Sequence, residues 1–157
     1  RKGHFDGVIT VLNKFFSIVK SNKVYFGEKD FQQLKIIEKF IQEKYKSLDL
    51  VSVPTKRNEE GIAYSSRNEK LSKKQLQDFV SFHQKVESFL KSLENSFDIE
   101  IANQKAKDFI FEQDIGELDY FEFRNNDDLS FNGKVSESRL FYAIYKGKIR
   151  LIDNLKI

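Results

Sequence analysis

Apolar side chains return at helical spacing from residue 7 to residue 20: Val8, Val11, Leu12, Phe15, Phe16 and Val19. The spacing predicts a helix. Its apolar face is broad, so core is expected on both of its sides. Asp6 stands where an N-terminal cap would sit. Val24, Tyr25 and Phe26 then predict a short strand ended by Gly27. Leu34, Ile37, Ile41 and Tyr45 share one face of a second helix that begins near Asp30. Leu50, Val51 and Val53 predict a second strand, closed by Pro54. Helix, strand, helix, strand in this order is the mark of parallel α/β units.

Residues 55 to 70 carry no period and hold Gly61 and the polar cluster Ser65, Ser66, Arg67 and Asn68. They predict a loop and a domain boundary. Ser72 followed by Gln75 is a capping-box pattern. The helix it opens carries Leu76, Phe79, Val80, His83, Val86, Leu90 and Leu93. Asp98 is placed to cap a further helix with Ile101, Ala102, Phe109 and Ile110 on its apolar face. After Gly116 the period changes, and Leu118 to Arg124, Arg139 to Tyr145 and Ile149 to Ile152 predict strands, the last two joined at Lys146-Gly147 as a hairpin. The expected organisation is an α/β unit over residues 1–55 and a small α+β unit over 56–157.

Charge narrows the classes of function. The 27 basic and 24 acidic side chains are interspersed, which does not mark a nucleic-acid or membrane surface. No apolar run approaches the roughly 18 residues of a membrane span. The chain has no cysteine, so a disulfide framework and a thiolate zinc site are excluded. With two histidines, a His-rich metal site is not expected, and no metal-ligating residue is assigned. A cytoplasmic protein is the default. With Arg1 first and no Met, the chain is expected to be part of a longer protein.

Three segments offer chemistry. Gly27-Glu28-Lys29-Asp30-Phe31-Gln32-Gln33 follows a strand and opens a helix. Ligands of parallel sheets bind beyond the carboxyl ends of strands, and helix N-termini suit phosphate. Lys29 adds a positive charge there, and Asp30 can accept from ribose hydroxyls. The pattern alone favours the plainer reading, with Asp30 as a helix cap and Lys29 as a solvated side chain. Gly61-Ile62-Ala63-Tyr64-Ser65-Ser66-Arg67-Asn68 places two hydroxyls and a guanidinium before a helix, a set that can grip phosphate or simply form a turn. Arg1-Lys2-Gly3-His4-Phe5-Asp6-Gly7 offers His4 as a general base or as a structural residue. His83, on an apolar helix face, is read as a partly buried core histidine. Asp127-Asp128 after Asn125-Asn126 is read as a solvated turn.

Taken together, His4-Phe5-Asp6-Gly7-Val8, Gly27 to Gln33, Val53-Pro54-Thr55 with Ser65-Ser66-Arg67-Asn68, and Arg150-Leu151-Ile152-Asp153-Asn154 resemble the pantothenate synthetase (pantoate–β-alanine ligase) family in order and spacing. Residues 72 to 115 resemble it only in helical pattern. The resemblance implies the C-terminal three-fifths of such an enzyme, lacking the N-terminal His-rich ATP motif. The implied fold is the second half of a Rossmann-like nucleotidyltransferase domain, followed by a small α+β C-terminal lid domain. It implies a two-step reaction with ATP and Mg2+: pantoate forms a pantoyl adenylate, which β-alanine then converts to pantothenate. It also implies a homodimer, and a fragment inactive by itself.

By position, the resemblance puts Gly27, Glu28, Lys29 and Asp30 in the ATP site, with Lys29 at the phosphates and Asp30 at the ribose. Gln33 matches a pantoate-binding glutamine, and Val11 and Leu12 its apolar pocket wall. Lys56 falls where the backbone meets adenine. Tyr64, Ser65, Ser66 and Arg67 fall in the phosphate-gripping motif, and with Lys29 the last three carry the catalytic assignment. The chain departs from the pattern at Lys2, Lys56, Glu60 and Tyr64, none of which removes a charged catalytic group. Two other readings share the pattern: a non-catalytic piece acting in packing or dimerisation, and another adenylate-forming enzyme of the same fold.

Overall fold

The computed structural model describes residues 3–157, so Arg1 and Lys2 of the N-terminal segment lie outside the described residues. The chain divides into two compact units, Arg1–Thr55 and Lys56–Ile157.

The first unit runs α1 (His4–Ile18), β1 (Lys23–Gly27), a 3-10 turn (Glu28–Asp30), α2 (Phe31–Lys44) and β2 (Asp49–Val53). β1 and β2 pair in parallel, with Lys23 opposite Asp49 and Gly27 opposite Val53. Parallel neighbours need a crossover, and α2 supplies it. The core forms around Phe16, Ile37, Ile41 and Leu48, with Leu12, Val24 and Phe26 packed against it. The Tyr45 ring meets Phe16 edge-on at 5.3 Å, and its hydroxyl donates to the Asn13 carbonyl at 3.0 Å. This ties the end of α2 to the middle of α1.

Two sequence expectations for α1 are corrected. Asp6 does not cap it. Gly3 takes the cap position at φ 78°, a left-handed conformation that glycine adopts without steric cost. Asp6 lies inside the first turn, where a carboxylate favours the positive helix end. Nor does core lie on both sides of α1. Phe16 is buried, whereas Val11, Phe15 and Ile18 are 61%, 61% and 80% exposed. Within this unit only one side of the helix is covered.

The second unit begins with the 55–70 segment, then α3 (Lys73–Ser92), α4 (Ile99–Phe111), β3 (Glu117–Asn125), β4 (Ser138–Lys146) and β5 (Ile149–Lys156). The capping box is formed: Ser72 Oγ accepts from Gln75 N–H at 3.3 Å, and Gln75 Oε1 accepts from Ser72 N–H at 2.9 Å. The strands make one antiparallel sheet in the order β3-β4-β5. Its buried centre includes Phe123, Leu140, Tyr142 and Ile144, all fully inaccessible. Phe82 of α3, not among the apolar positions expected for that helix, meets Tyr142 edge-on at 5.6 Å.

Smaller corrections follow from packing. Asp98 occupies the cap position of α4, but its carboxylate does not cap; it takes Lys134 Nζ at 2.8 Å instead. Ile101 is 47% exposed, while Ile99, Ala102 and Ala106 hold the buried face. The β4–β5 turn is Gly147-Lys148, one residue later than expected, with Lys146 already paired to Ile149. Gly147 has φ 64°, which suits the first position of a two-residue hairpin loop. Asp127 and Asp128 are exposed turn residues, and Asp128 Oδ1 accepts from Ser130 N–H at 2.9 Å; this bond, and then one from the Ser130 side chain, hold the Asp128 carboxyl below the usual range.

Candidate functional site

In the first unit the candidate residues gather where β1 ends and α2 begins. Gly27 closes β1, and a methyl group built on it would meet no atom of the chain within 4 Å. Its φ of −74° needs no glycine either. The residue therefore leaves open space outside the strand's carboxyl end, where a ligand's approach is allowed. Glu28, Lys29 and Asp30 make the 3-10 turn, and Phe31 buries its ring to anchor the start of α2. Asp30 sits at the cap position of α2, yet its side chain makes no capping hydrogen bond. The structural reading of Asp30 as a helix cap is thus not realised, and its carboxylate is exposed. Gln33, half-buried, follows within the first turn of α2. On α1, Leu12 packs against the core while Val11 turns outward. His4 is exposed at the helix start, with its ring 5.3 Å from Phe5.

In the second unit residues 56–64 fold back on themselves. Arg57 pairs across Ala63, Tyr64 N–H donates to the Lys56 carbonyl at 3.1 Å, and Asn58 N–H donates to the Ile62 carbonyl at 3.0 Å. Side chains of such a ribbon alternate between its faces. Ala63 is buried whereas Lys56 and Tyr64 are exposed, the Lys56 ammonium lying 5.7 Å from the Tyr64 ring centre; Ile62, next to the tip of the ribbon, departs from the alternation and is buried in the core. Ser65 closes a local turn: its hydroxyl accepts from Arg67 N–H at 3.2 Å. Ser66 is exposed, and Arg67 Nη1 donates to the Arg150 carbonyl at 3.3 Å.

Sequence reasoning missed what holds this ribbon in place. Arg57 forms a two-pronged pair with Asp153 of β5, Nη1 to Oδ2 at 2.7 Å and Nη2 to Oδ1 at 3.0 Å. The same guanidinium donates to the Gly61 carbonyl at 3.0 Å and the Asn154 carbonyl at 2.9 Å. Burial alone would lower the Arg57 pKa; the hydrogen bond and charge of Asp153 outweigh it and raise it. Asp153 also accepts from Asn154 N–H at 2.8 Å and from the Tyr142 hydroxyl at 3.4 Å. Burial, then the charge of Asp153, pushes the Tyr142 phenol well up. His83 completes the group, with Nδ1 3.1 Å from the Tyr142 oxygen and Nε2 3.6 Å from Glu87 Oε1. The histidine expected to be partly buried is fully buried, and burial lowers its pKa. Arg57 and Asp153 are far apart in the chain, so no local pattern links them. The only sequence signal was the Asp153-Asn154 pair itself.

No helix among the described residues is long and apolar enough to cross a membrane. The family model for pantoate-beta-alanine ligase matches residues 1–156. A pantothenate synthetase from Caldicellulosiruptor bescii is 34% identical over all of this chain and 56% of its own length. One from Aquifex aeolicus is 38% identical, again over all of this chain and 56% of its own length. The chain thus spans little more than half the length of these relatives. The pantothenate synthetase of Thermus thermophilus superposes with a TM-score of 0.85 at 29% identity, covering 99% of this chain and 57% of that one. A pantoate-beta-alanine ligase from Francisella tularensis, solved with beta-gamma ATP and beta-alanine, superposes at 0.69 with 29% identity, covering 99% and 51%. The mixed α/β architecture, a parallel pair followed by a small antiparallel sheet, is that of these enzymes, and the chain belongs to the pantoate-beta-alanine ligase family.

Proposed function

We propose that the protein carrying this chain is an ATP-dependent ligase that joins pantoate to β-alanine through a pantoyl adenylate. The observation that carries the reading is the strand-to-helix turn Gly27–Gln33, open at Gly27 and with an Asp30 carboxylate that caps no helix, in a chain of this family. In the first step a pantoate carboxylate oxygen attacks the α-phosphorus of ATP and pyrophosphate leaves. In the second the β-alanine amine attacks the acyl carbon, AMP leaves with the bonding electron pair, and the amine gives up a proton.

The residue roles are part of the proposal. Lys29 and Arg67 stabilise negative charge gained at the phosphates, as preoriented cations do best. Ser65 and Ser66 donate to phosphate oxygens, Gly27 and Glu28 shape the approach, and Asp30 accepts from the ribose. The Lys56 backbone meets adenine, with Tyr64 beside it. Gln33 hydrogen-bonds pantoate, and Val11 and Leu12 face its apolar part. Magnesium would arrive on the nucleotide phosphates. A cytoplasmic homodimer belongs to the same proposal and is tested by the mass of the protein in solution.

The deciding assay measures AMP release by the intact protein with ATP, magnesium, pantoate and β-alanine, omitting each in turn. The reading expects release only when all are present, with pantoate-dependent exchange of pyrophosphate into ATP when β-alanine is left out. Release that ignores pantoate would overturn it.

A further inference from the structure

Irregular segments of this length are ordinarily mobile. Residues 56–67 carry five of the residues assigned above to ATP, so their usefulness depends on being held. The segment is fastened to the outer edge of the sheet at two places. Arg57 reaches the Asn154 carbonyl and Arg67 the Arg150 carbonyl, both on β5, the edge strand. The two fastenings are unequal. Arg67 makes a single contact at 3.3 Å. Arg57 makes four at 2.7–3.0 Å, two of them to an Asp153 carboxylate that is 3% exposed. A planar guanidinium gripping a carboxylate with two parallel bonds fixes direction as well as distance. The bond to the Gly61 carbonyl extends that direction to the tip of the ribbon, where Gly61 at φ 82° packs so tightly that an added methyl would stand 3.0 Å from His83 Nε2.

We propose that Arg57, clamped by Asp153, is a positioning residue for the nucleotide site: it sets where Lys56, Tyr64 and the Ser65–Arg67 turn stand, without touching the nucleotide. Arg57 and Ala63 face the body of the unit and Lys56 and Tyr64 face away, so the clamp grips the ribbon from behind and leaves its outer face for ligand. This inference rests on the ATP reading above and adds a residue and a route to it. The free end of the segment, around Ser66 and Arg67, keeps the looser fastening and can exchange its carbonyl partner for phosphate.

The test is Arg57→Lys in the intact enzyme, which keeps the charge and loses the fork. Hydrogen exchange at residues 58–66 is followed alongside kinetics, and Arg57→Gln is a second variant. Val135→Ala, a buried core substitution in the 3-10 turn Val135–Glu137 before β4, serves as the stability control. The expected result is a KM for ATP raised about tenfold by Arg57→Lys and more by Arg57→Gln, with KM for pantoate within twofold. Exchange at Ile62 and Tyr64 should quicken in both variants, and Val135→Ala should lower Tm while leaving both KM values alone. An ATP KM within twofold of wild type, or equal loss for ATP and pantoate, overturns the proposal. If the wild-type enzyme itself shows no pantoate-dependent AMP release, the ATP reading fails rather than the clamp. Quickened exchange in Arg57→Gln would then still show the clamp at work, and unchanged exchange would refute it.

Discussion

At the scale of single residues, charge and reach decide function. Lys29 stands in the turn between strand and helix, beside the open side of Gly27. If it neutralises phosphate charge, Lys29→Ala in the intact enzyme should lower kcat roughly 10²–10³-fold, the usual cost of removing one such stabilising group. Near-normal turnover by a folded variant would remove Lys29 from the mechanism. Gln33→Ala should impair pantoate while ATP affinity measured without pantoate stays constant; the lost hydrogen bond corresponds to about 1–3 kcal/mol. Equal damage to both substrates would deny the glutamine its role. His83 gives a pH prediction. Burial, with help from Arg57, lowers its folded pKa, although Asp153 and Glu87 pull the other way. The unfolded chain, with the ordinary value of 6.5, therefore takes up a proton that the folded chain refuses. Its share of stability is whole above about pH 6.5 and is lost as pH falls below that, at most about 1.4 kcal/mol per pH unit. Urea melts of wild type between pH 7.5 and 5.5 should show this fall, and His83→Gln should show a flatter one. Equal slopes would mean that His83 does not titrate differently on unfolding. The burial of His83 was legible from its place on an apolar helix face. Its partners were not, because Tyr142 and Asp153 come from strands some 60 and 70 residues later.

At the scale of elements, local rules carried further than single-residue ones. Every helix and strand of the sequence reading exists, since each rests on a period that burial then enforces. Caps divided according to competition. Ser72 and Gln75 satisfy each other and were readable as a pair, so Ser72→Ala should cost about 1 kcal/mol in a denaturation midpoint experiment, against no loss if the box is idle. Asp98 has the right residue type at the right place, but Lys134, brought in by the strand-side loop, takes its carboxylate. A cationic partner at 2.8 Å offers more than a neutral N–H, and nothing local announces it. The same limit applies to α1. Its period was visible, while the question of which apolar stripe finds a partner was not. In the sheet, one edge strand was equally hidden: Asn103 of α4 covers the backbone of Phe123 on β3, accepting from its N–H at 2.7 Å and donating to its carbonyl at 3.0 Å. That pairing stops an exposed edge from recruiting another strand.

At the scale of the whole chain, the two units differ in how completely each satisfies itself. The unit from Lys56 onward has a capped helix, a hairpin, one edge strand covered by Asn103 and the other fastened by Arg57, around a centre of fully buried aromatic and aliphatic side chains. The first unit has a two-stranded parallel pair and one side of α1 covered. Val11, Phe15 and Ile18 make a stripe at helical spacing that water meets directly, and Tyr25 on β1 is 65% exposed as well. An apolar stripe of this kind favours association. The relatives are also nearly twice as long as this chain. Residues 1–157 expressed by themselves should therefore release no AMP with pantoate, β-alanine, ATP and magnesium, and should run above monomer mass in light scattering. Phe15→Lys with Ile18→Glu, both on the exposed stripe, should return the chain to monomer without lowering the melting temperature of the second unit. Limited proteolysis should cut residues 3–55 first and leave a stable core that begins near Lys56, because fewer buried contacts hold the first unit closed. Turnover by a clean monomer would show that the catalytic groups all lie within these 157 residues. Association that survives the double substitution would show that the stripe on α1 is not what drives it.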